Sequence, residues 1–332
     1  MCQIKIISSM KKFIPLISSC LLLLLFFYFF ISWQDLFKII KKTSVGLLIL
    51  QIILSILYIT LNSFFSKVLL SSLNLNLPFE EWIGLGFVNA LSNYILPAKS
   101  GTLIKAKYLN SKYNFSLSHS ASLLIFSSYI SLGILILLTT LLVPIYNQPY
   151  ERNLPYSDEI YMVFIAILIM FFISLVFMGK YKLNKIEIIR TYRIGNMVYL
   201  IFEGFNHAAQ KFTTILSILS LSGTIIFVYS LRLFIGFLTF DAQPDFIFVA
   251  LVSCLQSLSG LVAIAPGNLG AQEIIISFLS RLGDYSLTEG IAVAMQIRAA
   301  ELFVTLTIGS YFTWRLNLLG SFKIKTYGKR TK

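Results

Sequence analysis

The chain has 332 residues, 57% of them hydrophobic and only 12% charged, with a mean hydropathy of +0.82. A water-soluble protein of this size has too little interior to hide that much apolar surface, so composition points to an all-α polytopic membrane protein. The net charge of +13 is scattered between apolar runs, which argues against a nucleic-acid partner and places the bases in loops. Cys2, Cys20 and Cys254 have neither a metal spacing nor a disulfide framework, so no metal is expected.

The first apolar run, 13–31, follows Lys5, Lys11 and Lys12. Its flank resembles a signal sequence, but it is too long and no small-residue cleavage site follows Trp33, so it reads as a retained span. Further runs at 45–65, 121–143, 160–178, 213–238 and 290–312 bring the expectation to six full spans, each near the roughly 20 residues needed to cross hydrocarbon. Two other apolar regions are interrupted. One, 83–113, breaks at Pro97 and Gly101; the other, 245–283, breaks at Pro266 and Gly270. Both breaks read Pro-x-x-x-Gly. An interrupted helix exposes backbone groups that lipid cannot satisfy, so it survives only buried in protein or lining a polar cavity. Pro97 and Pro266 are the expected hinges.

Loop charge sets the orientation. The 179–212 segment holds Lys180, Lys182, Lys185, Arg190, Arg193 and Lys211, and the tail 313–332 is basic without acids; both belong in the cytoplasm. The segment 144–159 and the turn with Asp241 and Asp245 belong outside. The resulting thread puts both termini in the cytoplasm, with the two broken hairpins entering from opposite faces. The loop at 34–44, with Lys38, Lys41 and Lys42, breaks the charge rule.

This thread gives an inverted repeat within a single transmembrane domain, 1–332: one copy at 13–143, the other at 160–312, each built as span, span, broken hairpin, span. Ordinary kinked helices are the plainer alternative, and the limb 245–265 is long enough to cross fully. The 179–212 linker alternates apolar and basic residues, as an amphipathic helix on the inner leaflet would.

Ionisable and polar residues gather at the breaks, where they are functional candidates. Lys99 and Lys105 carry charge suited to phosphate. Asn89 and Asn93, four apart, share a helix face and suit a polar headgroup; they equally suit cross-helix bonding. Helix starts expected near Ser100 and Asn268 offer unpaired N–H groups, which Gly101, Gly267 and Gly270 would open to a ligand. Glu273 is either an N-terminal cap or the partner of Arg298 across the second hairpin and the last span. Arg298 and Glu301, three apart, could also neutralise each other. Arg232 is expected at the outer interface. His119 and His207 form no metal or catalytic set, and no Walker loop or nucleophile elbow is present, so neither an enzyme nor a cofactor is expected.

Two stretches carry a family likeness. Leu96-Pro-Ala-Lys-Ser-Gly-Thr-Leu-Ile-Lys105 is similar to a Pro-x-Arg-x-Gly-Glu motif followed by a base. Pro266-Gly-Asn-Leu-Gly-Ala-Gln-Glu273, with Gln296-Ile-Arg298 later, is similar to Pro-Gly-Gly-Leu-Gly with a following Glu and a later Arg. At these residues the chain resembles the transmembrane region of lysylphosphatidylglycerol synthases, flippase-like membrane domains that also occur alone. Thr102 replaces the usual Glu, and Phe126, Ser127 and Ser128 stand where relatives often have an acid–Arg pair. No aminoacyl-transferring domain follows before Lys332. The resemblance therefore implies lipid handling: movement of an anionic, phosphate-bearing lipid or lipid-linked glycan between leaflets. The other reading is a non-transporting subunit that supports a membrane-associated glycan- or lipid-modifying enzyme, docked on 179–212.

Overall fold

The computed structural model describes residues 44–96, 99–147, 157–180, 212–240, 242–259, 266–268 and 270–318, with Tyr199 and Glu203. The expected span 13–31, Pro97, nearly all of the 179–212 linker and most of the basic tail lie outside the described residues. Among the described residues the regular structure is helical, without strands.

The helices are α1 (Val45–Ser72), α2 (Phe79–Ile95), α3 (Ser100–Tyr113), α4 (Leu117–Asn147), α5 (Ser157–Lys180), α6 (Phe212–Leu238), α7 (Phe246–Ser259), α8 (Ala271–Ser280) and α9 (Leu287–Val304). A π-helical turn, Thr305–Gly309, carries α9 on into α10 (Ser310–Arg315). Four helical runs among the described residues are long and apolar enough to cross a membrane: α1, α4, α6 and the continuous α9–α10. They overlap the spans expected at 45–65, 121–143, 213–238 and 290–312. The run expected at 160–178 lies inside α5.

α1 continues seven residues past its expected end because its polar residues are accommodated on the helix. Ser71 and Ser72 donate to the carbonyls of Val68 and Leu69, and Lys67 lies over the Phe64 and Trp82 rings at 5.4 Å. The same back-bonding hides Ser55, Ser63, Thr139 and Thr140 inside apolar spans.

The two interrupted regions become short limbs. α3 has 14 residues and α8 has 10. At 1.5 Å per residue, 14 residues reach about 21 Å, short of the roughly 30 Å hydrocarbon core. Each hairpin sits in its own apolar cluster. Leu85, Leu109, Phe126 and Ile130 surround α2 and α3; Leu233, Val249, Ile276 and Ile297 surround α7 and α8. α1 packs along α6 and α2, α7 along α4, and α8 along α9, while α2 meets the π turn and the Pro266–Asn268 turn.

A polar latch closes the base of the first hairpin. Glu81, at the start of α2, accepts hydrogen bonds from Lys112 at 2.7 Å, Tyr113 at 2.7 Å and Tyr108 at 3.1 Å, all near the end of α3. Burial opposes ionisation of Glu81, but the bonds from Lys112, Tyr113 and Tyr108 outweigh it and hold the carboxyl below its usual 4.5. The latch therefore stabilises the fold fully above that value and is lost as pH falls through the lowered one. Glu81→Ala should cost about 1–3 kcal/mol, the scale of a charge-assisted hydrogen-bond set at a partly wet site. In thermal unfolding between pH 6 and pH 3, the parent should lose more stability than Glu81→Gln.

Candidate functional site

The two breaks meet at one cavity of about 240 Å³. Its walls come from α1 (Tyr58, Ile59, Asn62), α2 (Gly86, Asn89, Ala90, Asn93, Tyr94), Lys99 at the first break, Gly267 and Asn268 at the second, Gln272 of α8 and Glu301 of α9. Six residues expected from sequence therefore share this chamber: Asn89, Asn93, Lys99, Gly267, Asn268 and Glu301.

The first break is held by side chains of the limb before it. Lys99 caps α3 in the left-handed conformation, φ 51° and ψ 38°. For a non-glycine residue that geometry costs about 1–2 kcal/mol. Thr102 secures it, donating both its N–H and its hydroxyl to the Lys99 carbonyl at 3.0 and 2.8 Å. The Gly101 N–H donates to Asn93 Oδ1 at 2.9 Å. A Cβ on Gly101 would lie 2.3 Å from the Asn89 carbonyl oxygen, so glycine is there to let α3 approach α2. The unpaired N–H expected at Gly101 is thus already satisfied, because two limbs this close complete each other's backbone. Lys105 faces a different wall and does not join Lys99 in the cavity.

The second break differs from expectation in register. α8 starts at Ala271 rather than Asn268, after a 3₁₀ turn at Pro266–Asn268. Gly267, Asn268 and Gly270 all have positive φ, at 57°, 54° and 86°, so a right-handed helix cannot run through them. A Cβ on Gly267 would meet Tyr94 Cδ1 at 2.7 Å, which presses this turn against α2. The exposed carbonyls are taken by Arg298: Nη1 donates to Gly267 at 3.0 Å and Nη2 to Asn268 at 3.4 Å. Arg298 Nε also pairs with Glu273 Oε1. Glu273 Oε2 accepts from the Gly270 N–H at 2.9 Å. Glu273 is therefore both the helix cap and the partner of Arg298. Ser253 and Ser257, the stripe on the limb before this break, donate to carbonyls of their own helix.

Arg232 is the largest departure. Expected at an interface, it is fully buried, because α6 packs there between α1 and α9. It donates to Glu301 Oε2 at 3.0 Å and to the Ile297 carbonyl at 3.3 Å. The rings of Tyr58 and Tyr229 lie 5.0 and 5.6 Å from its guanidinium. Glu301 thus pairs across helices rather than with Arg298. Gln272 links the two charged pairs, donating to the Tyr229 hydroxyl at 2.9 Å and lying 3.5 Å from Arg298 Nη2. Tyr58, Asn62, Tyr94 and Gln272 were not picked out from sequence. The available signal was helical spacing: Tyr58 and Asn62 are four apart in an apolar run, as Asn89 and Asn93 are.

Beyond Asn62, Gly86 and Asn89 a second space opens. It is a groove of about 280 Å³ between α1, α2, α3 and α4, lined by Leu69, Leu70, Leu103, Leu109, Leu123 and Leu124, with Lys105, Thr102 and several serines. The same three residues, Asn62, Gly86 and Asn89, line both spaces. The chamber at the breaks and a groove lined mostly by leucines therefore share a wall.

The buried pair gives an asymmetric expectation. The Arg232 side chain is 0% exposed and that of Glu301 16%. Glu301→Ala strands a cation in protein and should cost about 3–5 kcal/mol, with Arg232→Met costing less. The double variant Arg232→Met/Glu301→Leu should lose clearly less than the two singles together, measured by thermal unfolding in detergent.

No curated protein and no solved structure matches the chain. The family described as the lysylphosphatidylglycerol synthase TM region matches residues 15–309. That match runs through both breaks and into the π turn after α9, so the chain belongs to this family of membrane domains and is a multi-pass membrane protein.

Proposed function

We propose that this protein moves a phosphate-bearing anionic lipid, or a lipid-linked glycan, between the leaflets of a bacterial inner membrane. One observation carries the reading: the polar chamber at the two breaks abuts an apolar groove, and Asn62, Gly86 and Asn89 belong to both. A lipid has that same composition, a polar head joined to hydrocarbon. Lys99, which lines the chamber from a strained cap, meets the phosphate. Strain of this kind persists where surrounding structure over-determines it, and it clusters at ligand clamps. Lys105 lies in the groove and acts on the lipid outside the chamber.

The wider architecture in this reading is six spans and two re-entrant hairpins in an inverted repeat, with both termini cytoplasmic. Element pairing supports it. α1 meets α6, its counterpart; α7 packs on α4 as α2 packs on the π turn and α10. The limbs α3 and α8 are too short to cross on their own. Rocking of one repeat against the other would then alternate access. Arg298, Glu273 and Glu301 form the gate on the side of the second break.

A leaflet-resolved assay of fluorescent anionic lipid in proteoliposomes tests the proposal. Lys99→Gln should slow movement about tenfold or more, the scale of one lost charge-assisted hydrogen bond. Arg281→Gln, on the exposed turn after α8, should match the parent. Equal rates in Lys99→Gln and the parent would contradict the role given to Lys99.

A further inference from the structure

We infer that the group held in the chamber is a single sugar carried on the lipid's phosphate; this rests on the lipid-handling reading above and names its headgroup. Charge makes the first point. Glu301 is neutralised by Arg232, and Arg298 is committed to Glu273 and the carbonyls of the second break. Lys99 remains, its ammonium group in no ion pair or hydrogen bond among the described residues. One cation matches one phosphodiester charge. A headgroup rich in anions would find no further counter-charge in this lining.

Hydrogen bonding makes the second point. Beside apolar Ile59 and Ala90, the remaining uncharged side chains of the lining are amides and phenols, among them Asn62, Asn89, Asn93, Gln272, Tyr58 and Tyr94. An amide presents a donor and an acceptor side by side, and a sugar hydroxyl is both donor and acceptor, so the two fit in pairs. Asn89 Oδ1 is buried and accepts no hydrogen bond. Asn93 gives its oxygen to the Gly101 N–H, which leaves its NH₂ group for a ligand. Leaving such groups unpaired under a headgroup without hydroxyls is costly. Tyr58 and Tyr94 add flat, apolar faces with polar tips, suited to the C–H side of a sugar ring.

Size makes the third. The chamber, about 240 Å³, falls below the roughly 300 Å³ at the lower end of ligand pockets. One ring and its phosphate fill a space of that size, and any further sugar would lie outside it. The hydrocarbon lies in the neighbouring groove, past the shared residues Asn62, Gly86 and Asn89.

Binding to the full-length protein in nanodiscs tests this with three probes: a hexosyl polyprenyl monophosphate, the same polyprenyl phosphate without sugar, and soluble hexose 1-phosphate. The hexosyl lipid should bind roughly tenfold or more tighter than the bare phosphate lipid, as where a site's polar groups otherwise go unpaired. Soluble hexose 1-phosphate should bind more weakly than either lipid. Asn89→Ala should shrink the preference for sugar. If that variant does not fold, Asn62→Ala on α1 carries the same arm. Equal binding of the two lipids, or a sugar preference untouched in both variants, overturns the sugar assignment and leaves lipid handling standing. Failure of both lipids to bind, or tightest binding of the soluble sugar phosphate, overturns lipid handling and this inference together.

Discussion

A helix broken among apolar spans has to repair its own backbone, and this constraint organises the molecule. Hydrocarbon offers no partner for a stranded N–H or C=O. The first break solves the problem with Asn93, whose side-chain oxygen accepts the Gly101 N–H. The second solves it with Arg298, which takes the Gly267 and Asn268 carbonyls. The Arg298 charge then needs an anion, and Glu273 supplies it while capping the helix it begins. Each repair draws a neighbouring helix into a fixed position, so the breaks set the packing around them.

The same repairs decide what is left for a ligand. Helix starts that look like anion cradles in sequence are filled by Asn93 and Glu273. What faces the chamber is instead a lysine in a left-handed cap and a set of amides and phenols on rigid helices. Behind them, Arg232, Glu301, Gln272 and Arg298 tie α1, α6, α8 and α9 together. A buried ion pair of this kind is weak evidence for stability, since desolvation offsets much of its attraction. Its geometry has a clearer consequence: a shift of α6 against α9 would reach the chamber wall through Glu301.

Much of this was legible in the sequence. Apolar length located the four spans seen among the described residues, and the Pro-x-x-x-Gly pairs located both breaks. Asn89 and Asn93 came out on one face because four-residue spacing in a helix requires it. The pairing of Glu273 with Arg298 was readable as charge that needed a partner. The misses also have physical causes. Arg232 lies near the end of an apolar run, and one-dimensional reading places such a residue at the interface; its burial depends on α1 and α9 arriving from far along the chain. The start of α8 shifted because positive φ at Gly267, Asn268 and Gly270 is a backbone property, and only the glycines among them announce it. Lys105 parted from Lys99 because six positions along a helix turn it about 240° round the axis and move it about 9 Å along, enough to carry it from the chamber to the groove.

The central claim is that the two breaks form one chamber and that a lipid headgroup fills it. Cysteine labelling tests this most directly, with Lys99→Cys and Asn268→Cys placed singly in a protein whose three native cysteines are replaced. The account predicts that a water-soluble maleimide reaches both positions and that one phosphate-bearing lipid protects both over the same concentration range. Protection of one position without the other, or failure of the reagent to reach either in any condition, would contradict it.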